Sequence, residues 1–134
     1  MIAPRFTTAP TLADLEVLAD RALLSLPPRF LAPIRGVALR IEDFPDDEVL
    51  EDMDLESEFD ILGLYRGIDL AHRSVHDVRD GLDVILLYRR PILDYWCETG
   101  ETLADIVRHV LIHEIGHHLG LSDDDMERIE DEAG

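Results

Sequence analysis

The chain has 134 residues, enough for one domain and too few for two. Apolar residues make up 46% of it, an ordinary globular share, and no run approaches the roughly 18 apolar residues of a spanning helix. Thirty acidic residues against 12 arginines and no lysine give a formal charge of -18, which repels phosphate backbones and anionic lipid and argues against nucleic-acid and membrane partners.

The same charge would attract a cationic ligand or a basic partner. Solubility, or growth in high salt, accounts for it without any partner. The single cysteine, Cys97, has no internal partner for a disulfide, and MIAPRFTTAP lacks the apolar core of a signal peptide. A reduced cytoplasmic protein is the simplest expectation. Aromatic residues are scarce, so aliphatic side chains must supply most of a thin core, to which a bound metal would add useful stability.

In chain order, TLADLEVLADRALLSLPP predicts a helix, with Leu12, Leu15, Leu18, Ala19, Ala22 and Leu26 at three- and four-residue spacing. Thr11 caps its start, Asp14 completes the cap, and Pro27-Pro28 stops it. GVALRIED predicts a strand in which Val37, Leu39 and Ile41 share a face. The stretch from Glu42 to Asp60 holds eleven acidic and no basic residues and reads as a long loop with room for a short helical turn. It lacks the oxygen-ligand spacing and central glycine of a calcium loop. ILGLYRG predicts a short strand from Ile61 to Tyr65 with a turn at Gly67. The following polar stretch, with His72, His76 and a turn at Asp80-Gly81, shows no pattern. VILLYRRPI predicts a strand from Val84 to Arg89, and Pro91 limits pairing beyond Arg90. A long helix is expected from Glu101 to Leu119, with Leu103, Ile106, Val107, Val110 and Leu111 on its apolar face and Ala104, Leu111, Ile115 and Leu119 continuing it. Gly120 suits a left-handed end, and Ser122 can cap a short terminal helix rich in first-turn acids.

The chemistry concentrates in HVLIHEIGHHLGLSDDDM, His109 to Met126. His113 and His117 are four residues apart, so a helix stacks both rings on one face, where they can share one zinc ion. Glu114 is rotated about 100° from His113 and can hold a water beside the ion rather than the ion itself. Gly120 then breaks the helix, and the chain can return Asp123 as a third ligand, the spacing H-E-x-x-H-x-x-G-x-x-D. Asp124 and Asp125 are close enough to compete for that role, but spacing favours Asp123. The remaining aspartates can orient His117 or His118, or simply occupy the first turn of the last helix.

The other histidines and aromatics have plainer readings. His118 points about 100° away from His117 and reads as a flank. His109, one turn before His113, reads as a helix-surface or cleft-rim residue, and His72 and His76 as loop residues. Tyr65, Tyr88 and Arg89 can line the cleft, although strand preference explains the tyrosines as well. Cys97 reads as a small buried hydrophobe, and Met126 as packing close to the metal position.

Taken together, IEDFPDD (Ile41 to Asp47), ILGLYRG (Ile61 to Gly67), ILLYRRPI (Ile85 to Ile92) and HEIGHHLGLSDDDM (His113 to Met126) resemble the small bacterial zincin-like metallopeptidases, minimal single-domain relatives of the metzincins. The resemblance runs from about Leu12 to Met126. It implies an α+β fold in which a small twisted mixed sheet packs against the zinc-bearing helix, with His113, His117 and Asp123 as ligands and Glu114 as general base. It also implies that the strand Val84 to Arg89 is the edge beside the cleft, where an extended peptide could add. Larger metzincins carry a long segment after the third ligand, ending in a methionine beneath the metal. Here Met126 is the candidate for that place.

The leading functional expectation is zinc-dependent hydrolysis of peptide bonds, with a peptide or protein substrate and Tyr88 or His118 as candidate helpers for the developing oxyanion. Two alternatives stand beside it. One is a zinc-stabilised binding or adaptor domain without significant turnover, and the other a zinc hydrolase of a non-peptide amide. A monomer is favoured.

Overall fold

The computed structural model describes residues 8–34, 36–67 and 83–133. His72, His76 and the expected turn at Asp80-Gly81 lie outside the described residues.

Helix α1 (Leu12–Ser25) begins with the expected reciprocal cap. The Thr11 backbone N–H donates to Asp14 at 2.8 Å, and the Asp14 N–H donates to the Thr11 hydroxyl at 3.1 Å. Leu15, Ala19 and Ala22 are buried on one face, and Leu12, at the exposed start, is not. Pro27 ends the helix, but Pro28 opens another: α2 (Pro28–Leu31) uses proline at its first position, where no N–H is needed. A single turn of 3-10 helix, Ala32–Ile34, leads to strand β1 (Ala38–Glu42). The acidic stretch then contains α3 (Asp47–Asp52), capped by Asp46, whose side chain accepts from the Val49 N–H at 2.9 Å.

Strand β2 (Gly63–Arg66) and strand β3 (Val84–Tyr88) complete a three-stranded sheet in the order β1-β3-β2. β3 runs parallel to β1, with Leu39 beside Ile85, and antiparallel to β2, with Leu64 beside Leu86. The sheet is therefore mixed, and with the helices packed on it the fold is α+β, as the resemblance implies. The strand expected at the edge is central instead. Ile85, Leu86, Leu87 and Tyr88 are buried without alternation, which requires cover on both faces and suits an inner strand. Among the described residues the edges are β1 and β2, and β2 is the one that packs on the long helix.

The strand also ends one residue early. Helix α4 (Arg89–Thr99) starts where the strand was expected to continue, with Pro91 in its first turn. Arg89 is structural: its guanidinium donates to the Pro10 carbonyl at 2.6 Å and to Asp43 at 3.0 Å, tying the start of α1 to the end of β1. Cys97, expected to be buried, is exposed on α4.

Helix α5 (Leu103–Leu119) is the axis of the core. Thr102 caps it, accepting from the Asp105 N–H at 3.2 Å. Its buried arc is wider than one stripe: Leu103, Ile106, Val107, Val110, Leu111, Ile112 and Ile115 are covered, because α1, α4, β2, β3 and the last helix all pack on it. Ala104, expected on this face, is exposed, whereas Ile112 is fully buried. Helix α6 (Asp123–Ala133) folds back on α5, and Arg29 of α2 holds its far end through Glu132 at 2.6 and 2.8 Å.

Two glycines set how closely these elements approach. A Cβ on Gly63 would lie 2.7 Å from Val110 Cγ1 and 3.0 Å from the Leu86 carbonyl oxygen, so β2 sits hard against α5. A Cβ on Gly116 would overlap the Met126 sulfur and lie 2.6 Å from its Cγ. Alanine normally strengthens a helix interior relative to glycine by about 1 kcal/mol. Here overpacking wins, and Gly116→Ala is expected to destabilise the fold by about 1–3 kcal/mol. Urea denaturation checks this, and combining Gly116→Ala with Met126→Ala should cost less than the sum of the single changes.

Candidate metal centre

The last two helices arise from short sequence signals. Gly120 takes φ 74°, the left-handed conformation, and ends α5. The Leu121 N–H donates to the Gly116 carbonyl at 2.9 Å and the Gly120 N–H to the His117 carbonyl at 3.1 Å, satisfying groups that the helix end leaves open. Ser122 and Asp125 then cap α6 reciprocally, at 3.2 and 3.1 Å. Met126, fully buried, sits against Gly116 between the histidine turns.

On α5 the imidazoles follow the helical repeat. His113 and His117 stand edge to face with ring centres 5.9 Å apart. Two imidazoles sharing a tetrahedral zinc through bonds of roughly 2.0–2.1 Å would stand about 5 Å apart. Among the described residues the ligand atoms of His113, His117 and Asp123 are not gathered within 4.8 Å of one another. Asp123 is exposed at the start of α6, near enough that its charge acts on His113. Burial lowers the His113 pKa, the neighbouring His109 and His117 lower it further, and the carboxylates of Glu130 and Asp123 oppose them. The shift favours the neutral ring, the form that binds metal.

A second group of donors was not expected from the sequence. The ligand atoms of His109, His113 and Glu130 all lie within 4.8 Å of one another. The His109 and His113 rings are 4.1 Å apart, His109 Nδ1 is bonded to the Glu130 carboxylate, and His113 Nε2 is 4.0 Å from the same oxygen. His109, expected as a helix-surface or cleft-rim residue, is exposed and borders a hollow, and it also meets Glu130. The signals that could have found this group are the four-residue step from His109 to His113 and the seven-residue step from Asp123 to Glu130, which places both carboxylates on one side of α6.

Glu114 points elsewhere, toward β2. Burial raises its pKa, offset by the His117 ring and by a hydrogen bond from the Tyr65 backbone amide. Tyr65 also stacks on His118, with ring centres 3.8 Å apart and planes 13° from parallel. The Tyr65 hydroxyl donates to Asp83 at 3.3 Å, and burial, with Asp83 beside it, pushes its pKa up to about 12. Tyr88 does not line an open cleft. It is 1% exposed, and its hydroxyl has no hydrogen-bond partner among the described residues. Burial, aided by the Glu42 charge, pushes its pKa up to about 12. A roomier hollow of about 640 Å³ between α2 and α6, lined by Phe30, Leu121 and Ile129 among others, contains none of the motif histidines.

These elements coincide with a known family. The family model described as zincin-like metallopeptidase matches residues 34–133. The chain belongs to this family. The matched region of the zincin-like chain takes in all three strands and the whole of α5, and it contains every histidine and carboxylate of both donor groups. A comparison with curated proteins finds no match. What the zincin-like fold supplies here is a helix bearing imidazoles at each turn, a strand that is an edge among the described residues on one side of it and a carboxylate-bearing helix on the other.

The bend at Gly120 is the hinge of this arrangement. Gly120→Ala should cost about 1–2 kcal/mol from left-handed strain, and Gly120→Asn distinctly less, because asparagine tolerates that conformation. Denaturation midpoints of the two variants check this, and equal values would contradict it.

Proposed function

We propose that the chain is a zinc-dependent peptidase in which His113, His117 and Asp123 hold the ion and Glu114 is the general base. The observation that carries the reading is the placement of Glu114: half-buried, one residue from the first histidine of the pair and hydrogen-bonded by an amide of β2. A carboxylate lifted above its ordinary pKa is a better proton acceptor.

A bound zinc would supply Lewis acidity toward a carbonyl and make a nearby water more acidic. Two imidazoles, His113 and His117, and one carboxylate, Asp123, match the ligand chemistry of that ion. Glu114 takes the proton of the attacking water and hands it to the leaving amine, and the Tyr65 amide keeps its carboxylate oriented for both transfers. β2 supports a peptide substrate, since an extended chain can pair along a sheet edge while its scissile bond lies over α5. His118, exposed and held by Tyr65, is placed to meet such a chain. The net charge of -18 favours basic peptides in the encounter.

Zinc-loaded wild type and Glu114→Gln, compared on peptide libraries at equal metal content, test the reading. The variant should retain its zinc and cleave about 10²–10⁴-fold more slowly. Equal cleavage by the two proteins would refute the role given to Glu114.

A further inference from the structure

Histidines recur at each turn along α5, at His109, His113 and His117, and α6 sets carboxylates along the same seam. We propose that His109, His113 and Glu130 form a second site for a divalent first-row transition ion, zinc above all, one turn before the His113–His117 pair and exclusive of it. The site stands whether or not the chain hydrolyses peptides.

Three observations carry it. The donor atoms are already gathered within 4.8 Å of one another, from two elements that are distant in sequence, with His109 and Glu130 in direct contact. Donors around a tetrahedral zinc stand about 3.4 Å apart, so a modest inward movement of His113 completes the set. Two imidazoles and one carboxylate form a donor set for zinc, cobalt or nickel rather than for magnesium or calcium, which prefer oxygen alone. Finally, His109 and Glu130 border an open hollow of about 380 Å³ that is also lined by Glu101, Asp131 and the Asp105–Arg108 ion pair, so carboxylates outnumber cations there. This acidic surround concentrates cations and leaves water free access to a fourth position.

Exclusion follows from His113. Its Nε2 faces Glu130 at 4.0 Å, and one imidazole nitrogen bonds one ion. An ion held with His109 and Glu130 takes His113 from the His117–Asp123 set and leaves Glu114, engaged by the Tyr65 amide, without its partner. It also ties α6 to α5 through residues 21 apart in sequence. The upstream site is therefore a structural clip that competes with the downstream one, and the relative affinities of the two sites set which of them holds the ion.

Cobalt(II) titration of the full chain tests this, read by visible absorption, native mass spectrometry and thermal shift. The variant His117→Ala/Asp123→Ala should still bind one cobalt ion and melt at higher temperature with it. Adding Glu130→Gln to that background, or separately adding His109→Ala, should abolish both effects. Wild type should bind one ion per chain. If His117→Ala/Asp123→Ala binds none, or keeps its ion after Glu130→Gln, the upstream site is refuted, and two ions on wild type would refute exclusion. The two sites fail separately. A His109→Ala/Glu130→Gln protein that still binds one ion leaves the proposed catalytic ligands standing. One that binds none, while His117→Ala/Asp123→Ala binds one, removes them and keeps the clip.

Discussion

Met126 fills the space over Gly116 where a side chain would otherwise stand, and this contact presses α6 back onto α5. The reversal itself needs Gly120, whose left-handed backbone lets the chain turn within a few residues of the last helical hydrogen bond. The two glycines act differently: Gly120 permits the turn, and Gly116 permits the close approach that holds it. The carboxylates of Asp123 and Glu130 reach His113 through this reversal. Without it, the contact of His109 with Glu130 would be lost.

The opposite flank of α5 is set by a comparable closeness. Gly63 lets β2 lie against Val110, and the strand then brings the Tyr65 amide to Glu114 and the Tyr65 ring to His118. α5 thus separates two chemical environments. One side has carboxylates from α6, and the other has β2, an edge strand among the described residues, beside a glutamate whose pKa burial raises. Burial drives the Glu114 shift and is the largest influence on His113, and it comes from the same packing that stabilises the fold. The acidic surface adds a field that draws cations toward both sides.

Local signals in the sequence are legible where one short motif decides the backbone. The Thr11–Asp14 cap, the end of α5 at Gly120 and the Ser122 start of α6 each depend on a few adjacent residues, and each is found where expected. The motif histidines fall on one helix for the same reason. Long-range choices are less legible. An unbroken apolar run at Ile85–Tyr88 is the mark of an inner strand, yet the resemblance points to an edge. Pro91 reads as a limit on strand pairing, whereas proline is equally at home in the first turn of α4. Glu130 carries only a weak local signal, its seven-residue step from Asp123 along α6. Its importance comes from tertiary contact with His109, which only the pairing of α5 with α6 creates.

A zinc-bound crystal structure, with the ion located by anomalous scattering at the zinc edge, tests the central claim most directly. With one equivalent of zinc, the account expects a single ion on the α5–α6 seam, bonded to His113 and His117 and to the Asp123 carboxylate of α6. An ion bound elsewhere, or one on α5 with no carboxylate of α6 in its coordination shell, would contradict it.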